Sequence, residues 1–253
     1  MVEAETAGAA AGRRAGFIGL GKMGGAMATH LLRAGARLTV YDIRPEAVVP
    51  LVALGARAAG SPREVGHASE VVFLMLHAPA VEPVVVGADG LLAGLAAGGI
   101  IVDGGNSDPA VSQRLAARCA ERGVQFLDAG VSGGPGGAAA GRLAVMVGGD
   151  AGAYARCRPL LRAFGGAVEY LGPSGSGHLA KLINNVIVAM TTAVVGEALA
   201  LAEASQLDLA ALTRVIATGA ARCWPLEKMA QYYNEPLPPG WQEPRGGGRA
   251  PAN

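Results

Sequence analysis

From residue 15 onward, short apolar runs alternate with longer amphipathic stretches. The run Gly16-Phe17-Ile18-Gly19-Leu20 predicts a strand, and Met23 to Arg33 a helix stopped by Gly35. Arg37 to Tyr41 repeats the strand pattern, and Glu46 to Leu54 the helix pattern, stopped by Gly55. Val71 to Leu76 and Ile100 to Val102 are apolar throughout instead of alternating in polarity. Such strands belong to parallel sheets covered by helices on both faces. A helix over Ala110 to Arg122 and a strand at Gln125 to Leu127 follow, then a glycine-rich stretch from Gly130 to Gly141. A strand at Leu143 to Val147, a helix near Ala151 to Phe164 and a strand at Ala167 to Leu171 close the series. The order predicts an α/β fold, a Rossmann-type doubly wound parallel sheet, over residues 15–172.

After Leu171 the pattern changes. Gly172-Pro173-Ser174-Gly175-Ser176-Gly177 is a turn signal, and His178 to Ala204 reads as one helix about 40 Å long. Leu209 to Thr218 and Pro225 to Tyr233 add further helical segments, so 173–233 is expected to form a shortened all-helical domain. Residues 1–14 read as a loose leader. Residues 234–253 hold five prolines and four glycines and read as a disordered tail.

Composition narrows the class. At 253 residues, 51% hydrophobic and 16% charged, with a mean hydropathy of +0.34, the chain can bury a core and is no disordered protein. A net charge of +1 leaves no basic stripe for a nucleic acid. Cys119, Cys157 and Cys223 are too few and too scattered for a disulfide scaffold or a zinc ribbon, which points to a reducing, cytoplasmic setting. His30, His67 and His77 lack partners at ligand spacing, so no metal is expected. The apolar run from Val186 to Ala202 is broken by Glu197, and reads as a buried core helix with no membrane partner.

The candidate chemistry sits in two places. Gly19-Leu20-Gly21-Lys22-Met23-Gly24 follows the first strand and opens a helix. Its glycines allow a tight turn, backbone approach to a pyrophosphate and close helix–strand packing, while the helix N-terminus offers amides. Asp42 ends the second strand, eighteen residues after Gly24, where a carboxylate accepts ribose hydroxyls and repels a 2′-phosphate. NAD is the cofactor expected on that basis, and Arg44, two residues on, keeps NADP open. Lys181 opens the long helix, with Asn184 and Asn185 three and four residues later on neighbouring faces. A desolvated lysine sheds its proton near neutral pH and can serve as an acid/base, and an asparagine amide can hold a substrate hydroxyl or the lysine. His178, three residues earlier, reads as a cap or packing residue more readily than as a relay.

Four separated motifs carry a resemblance. FIGLGKMG (17–24), DAGVSGGPGGAAAGRL (128–143), GSGHLAKLINN (175–185) and RCW (222–224) resemble those of the β-hydroxyacid dehydrogenase family, over about residues 16–229. The resemblance implies an NAD(P)-dependent enzyme acting on a small 3-hydroxy acid such as 3-hydroxyisobutyrate. It assigns the acid/base role to Lys181, with Asn185 assisting, and substrate-carboxylate binding to Ser132, Gly133 and Gly134. Asp103-Gly104-Gly105-Asn106-Ser107 falls where the family places residues near nicotinamide and substrate, making Asn106 and Ser107 contacts or simply a turn. The wording DGGNS also resembles the 6-phosphogluconate dehydrogenase branch, which needs a longer helical domain. Family members continue past RCW with further helices and a second, substrate-side lysine, and associate as dimers through this domain. The Pro/Gly-rich segment stands there instead, so the helix of Lys181 is expected to expose apolar sides. A module that holds dinucleotide without turnover is the competing reading.

Overall fold

In the computed structural model, the described residues are 10–234, so the leader up to residue 9 and the tail from residue 235 lie outside them. The first unit is built on eight strands: β1 (Arg14–Ile18), β2 (Arg37–Tyr41), β3 (Arg57–Ala58), β4 (Val71–Leu74), β5 (Ile100–Asp103), β6 (Gln125–Ser132), β7 (Leu143–Gly148) and β8 (Gly165–Gly172). They lie in the order β3-β2-β1-β4-β5-β6-β7-β8. The first six are parallel to their neighbours, and the order reverses direction beside β1, which places a crevice at the carboxyl ends of β1 and β4.

Side-chain alternation shows why β4 and β5 lack polar positions. Val71 and Phe73 of β4 enter one core with Ile100 and Val102 of β5, while Val72, Leu74 and Ile101 enter the core on the other face. The helices α1 (Lys22–Arg33), α2 (Pro45–Ala53), α3 (Pro62–Ala68), α4 (Ala78–Val86) and α5 (Pro109–Ala120) link the parallel strands. Met27 and Leu31 of α1 cover the first core, and Val65, Val81 and Leu115 of α3, α4 and α5 the second.

The sheet departs from the expected all-parallel form at one pairing, which reverses β7 and β8 against the other six strands. β7 runs antiparallel to β6, because only residues 133–142 connect them, including the short helix α6 (Gly134–Ala139). That is too short for a crossover to a parallel neighbour. β6 itself runs on through Gly130–Ser132, past the expected end at Leu127 and into the glycine-rich stretch. α7 (Ala151–Leu161) then returns the chain to β8, parallel to β7.

α8 (Ser176–Ala204) is one continuous helix, followed by α9 (Leu209–Ile216) and α10 (Trp224–Asn234). Two compact units divide within α8, between Asn184 and Asn185. The first unit therefore runs past residue 172 and includes the opening turns of α8. α8 is also not the buried core helix expected: its most apolar stretch has a mean hydropathy of 1.7 and is only 17% buried. Ile183, Val186, Ile187, Met190 and Val194 are all more than half exposed.

Candidate active site

The glycine-rich turn lies at the sheet's switch point. Gly19 has φ +91°, and a side chain there would strike the Met75 carbonyl beyond β4. A side chain on Gly24 would strike the Gly19 carbonyl, so these two glycines shape the turn and stay buried or nearly so. Gly21 is different. A Cβ there would meet nothing nearer than the Arg44 guanidinium at 4.0 Å, so the backbone is open to an approaching group. α1 begins at this point with no side chain capping its N-terminus and no acid in its first turn. Unclaimed first-turn amides, a positive dipole end and an open glycine fit a dinucleotide pyrophosphate over Gly21, Lys22 and Met23.

Leu20 belongs to a different part of this device. Its amide donates to Asp42 Oδ2 at 2.7 Å, so it anchors the turn and is not offered to a ligand. The other Asp42 oxygen accepts from the Arg44 amide at 2.9 Å and its guanidinium at 3.4 Å. Burial alone would raise the Asp42 carboxyl; the Arg44 and Leu20 amides and the guanidinium outweigh it and hold the group below the ordinary carboxylate value. Asp42 thus stays charged beside the turn, and the Arg44 side chain, 57% exposed, lies alongside.

Further along the same edge, the Asp103 turn packs against the chain beyond β4. The Gly104 amide donates to the Leu74 carbonyl, and a Cβ on Gly105 would lie 2.9 Å from the Leu76 carbonyl. Asp103 is fully buried and accepts from the Gly105 amide (2.9 Å) and the Ser107 hydroxyl (2.7 Å). This corrects the expectation for Ser107, which is 2% exposed and spends its hydroxyl on the turn. Asn106, between them, is exposed.

Lys181 is held at the end of β6. A Cβ on Gly130 would sit 2.5 Å from the Lys181 Cβ, so the absence of a side chain at 130 is what lets the lysine cross the strand. Two residues on, the Ser132 hydroxyl lies 3.4 Å from Asn184 Oδ1. Gly133 and Gly134 follow with φ +129° and +62° and carry the chain into α6. Lys181 is half-buried, and desolvation lowers it below the ordinary lysine range. Ser132, Asn184 and Lys181 thus gather within the first unit, and Asn185 follows on the same continuous helix.

Several supporting residues went unassigned in the sequence although they stand inside the quoted motifs. Asp128 of β6 is fully buried and accepts from the amides of Gly175 (2.8 Å) and His178 (2.9 Å), capping α8 from the sheet. Gly177 has backbone on three sides: a Cβ would strike the Asp128 and Met146 carbonyls. His178 is 1% exposed, with Nδ1 2.7 Å from Ser112 Oγ of α5. The usable signal was an acid directly after an apolar run, at the end of β5 for Asp103 and within β6 for Asp128.

Comparison with known proteins agrees with this arrangement. Residues 14–172 match the family model for the NAD-binding domain of 6-phosphogluconate dehydrogenase, and residues 175–240 that for the NAD-binding region of NADP-dependent 3-hydroxyisobutyrate dehydrogenase. A 3-hydroxyisobutyrate dehydrogenase of Pseudomonas aeruginosa is 42% identical over 211 residues, 83% of this chain and 71% of that one. An NAD-dependent L-serine dehydrogenase of the same organism is 43% identical over 212 residues, with the same coverage. Among solved structures, Mycobacterium tuberculosis 3-hydroxyisobutyrate dehydrogenase with L-serine superposes with a TM-score of 0.77 at 32% identity, over 85% of this chain and 73% of that one. The chain belongs to the NAD(P)-dependent β-hydroxyacid dehydrogenases, and within them to the 3-hydroxyisobutyrate dehydrogenase type.

Proposed function

We propose that this hydroxyacid dehydrogenase acts on a small 3-hydroxy acid of the 3-hydroxyisobutyrate or serine type, with Lys181 as its acid/base. The observation that carries the reading is the desolvated Lys181, whose Cβ and Cγ lie across side-chain-free Gly130, two residues before the Ser132 that reaches Asn184 on the same helix. Ser132 and the Gly133–Gly134 backbone supply donors for the substrate carboxylate, and Asn185 with Asn184 holds the hydroxyl end. Asn106 lies on the neighbouring turn, open to cofactor or substrate. When bound, nicotinamide supplies the acceptor for the carbinol hydride. Lys181 takes the hydroxyl proton as the carbonyl forms and returns it in the reverse direction.

Asp42, ionised at the ribose end, favours NAD, and Arg44 leaves NADP a cation to bind. We place the enzyme in the cytoplasm, as a homodimer that covers the apolar side of α8. Half-buried Lys181 on that helix, and the tethering of its start to a sheet, support a helix of a water-soluble protein. The second reading, a module that holds cofactor without turnover, is favoured by the exposed apolar residues of α8. Titrating NADH fluorescence, and separately offering NAD+ together with a panel of 3-hydroxy acids, separates the two. Binding followed by a rise in nicotinamide absorbance with one acid is the expected result, and binding with no rise for any acid supports the module.

A further inference from the structure

His178 is the one residue of the GSGHLAKLINN segment whose ring is wholly enclosed, and the acid/base reading does not use it. Its environment is nevertheless specific. The backbone amide donates to Asp128 Oδ2 at 2.9 Å, and Nδ1 lies 2.7 Å from Ser112 Oγ. Nε2 has no hydrogen-bond partner and faces Asp103 Oδ2 at 4.0 Å. His178 thus ties its backbone to β6 and its ring to α5, faces the Asp103 turn with Nε2, and stands one helical turn before Lys181.

The network fixes the tautomer. Ser112 Oγ lies 2.7 Å from Nδ1 and 3.3 Å from the Asp108 carbonyl, and the carboxylate facing Nε2 decides that the hydroxyl proton goes to Nδ1. Nε2 then carries the ring proton and directs it toward the Asp103 carboxylate. The other tautomer would set a lone pair against a buried anion, which is unfavourable in a dry interior. A buried N–H left without a full partner calls for a reason. The reason here is attraction across the gap: the Asp103 carboxylate is held rigidly by Gly105 and Ser107, and it draws the ring, and with it the start of α8, toward the turn.

We propose that His178 is a positioning residue for Lys181, and that its Nε2 edge, facing Asp103, fixes the first turn of α8 against the turn that carries Asn106. This rests on Lys181 being the acid/base, but its test does not depend on turnover. Gln places its amide where Nε2 stands and Asn where Nδ1 stands, so the two variants separate the ring's edges. His178→Phe keeps the volume and loses both.

The readout is competitive acetylation of the cofactor-free protein across a pH series, followed by peptide mass spectrometry. Lys22 and Lys228, far along the chain, serve as internal references. In the native protein Lys181 titrates below the references. In His178→Asn and His178→Phe its midpoint moves up, toward a solvated lysine, while His178→Gln stays near the native value. Turnover should follow the same order, falling about a hundredfold in the Asn and Phe variants with the KM for NADH little changed, and recovering in Gln. An unmoved midpoint in both Asn and Phe overturns the proposal, and so does an Asn variant that behaves as the native protein while Gln does not. If Lys181→Ala keeps its turnover, the acid/base reading fails, yet the acetylation result still decides the role of His178.

Discussion

The first two turns of α8 and the remainder of the same helix follow different rules. At the start, Asp128 accepts two amides, Gly177 has sheet carbonyls against it, and His178 is enclosed. From Ile183 onward the helix shows apolar side chains to the outside, among them Val186, Ile187, Met190 and Val194. Lys181 sits in the over-determined part. The proposed base is carried by the stretch that has least freedom, and the proposed association falls on the exposed stretch.

Two glycines on this helix test the contrast most strongly. Gly177→Ala should cost about 3 kcal/mol or more, because its new methyl has carbonyls where it must go. Gly196→Ala, with nothing within 4 Å of its Cβ, should stabilise by up to about 1 kcal/mol. Urea unfolding of both variants gives the signs directly, and equal signs would dissolve the distinction.

Gly130→Ala comes next. The added methyl displaces the Lys181 side chain, so kcat should fall about a hundredfold with NADH affinity kept within a few-fold. Fluorescence titration and initial rates on one preparation check it. On the exposed stretch, Met190→Glu should convert the proposed dimer to a monomer in light scattering while leaving the fold intact. A native protein that is already monomeric would remove that part of the reading.

The smallest effect concerns protons. Desolvation lowers the Lys181 pKa, so the amine is neutral over a wider range than a solvated lysine, and oxidation should rise with pH and level off above that lowered value. The unfolded chain binds a proton that the folded chain has already lost, in the window between the lowered value and that of an ordinary lysine. Stability from this group therefore rises with pH across that window. Lys181→Met should raise Tm slightly at pH below the window and hardly at all above it.

The α/β architecture was legible because unbroken apolar strands and amphipathic helices follow one another with glycine stops, and β1, β2, β4 and β5 lie within a few residues of their expected bounds. β3, α3 and α4 were not assigned. β3 is two residues long, and α4 carries Pro79 and Pro83 within nine residues, which hides its period. α3 had a readable start in Ser61, whose hydroxyl accepts the Glu64 amide ahead of a short helix. The glycine-rich segment from 130 misled in the other direction, since Gly130 is strand and Gly134–Ala139 is helix. There glycine serves close approach, not flexibility. In the site, Lys181 and Asp42 could be found from position alone, whereas the anchoring tasks of Leu20 and Ser107 depend on partners 22 and 4 residues away in a folded turn. Asp103 and Asp128 needed the sheet register, which sets them side by side on β5 and β6.

The most direct measurement is made on Lys181→Ala: NADH dissociation constant by fluorescence, and turnover by nicotinamide absorbance with the best 3-hydroxy acid. The account predicts an NADH affinity close to native and turnover lower by about a thousandfold or more. Turnover within tenfold of native, with NADH still bound, would contradict it.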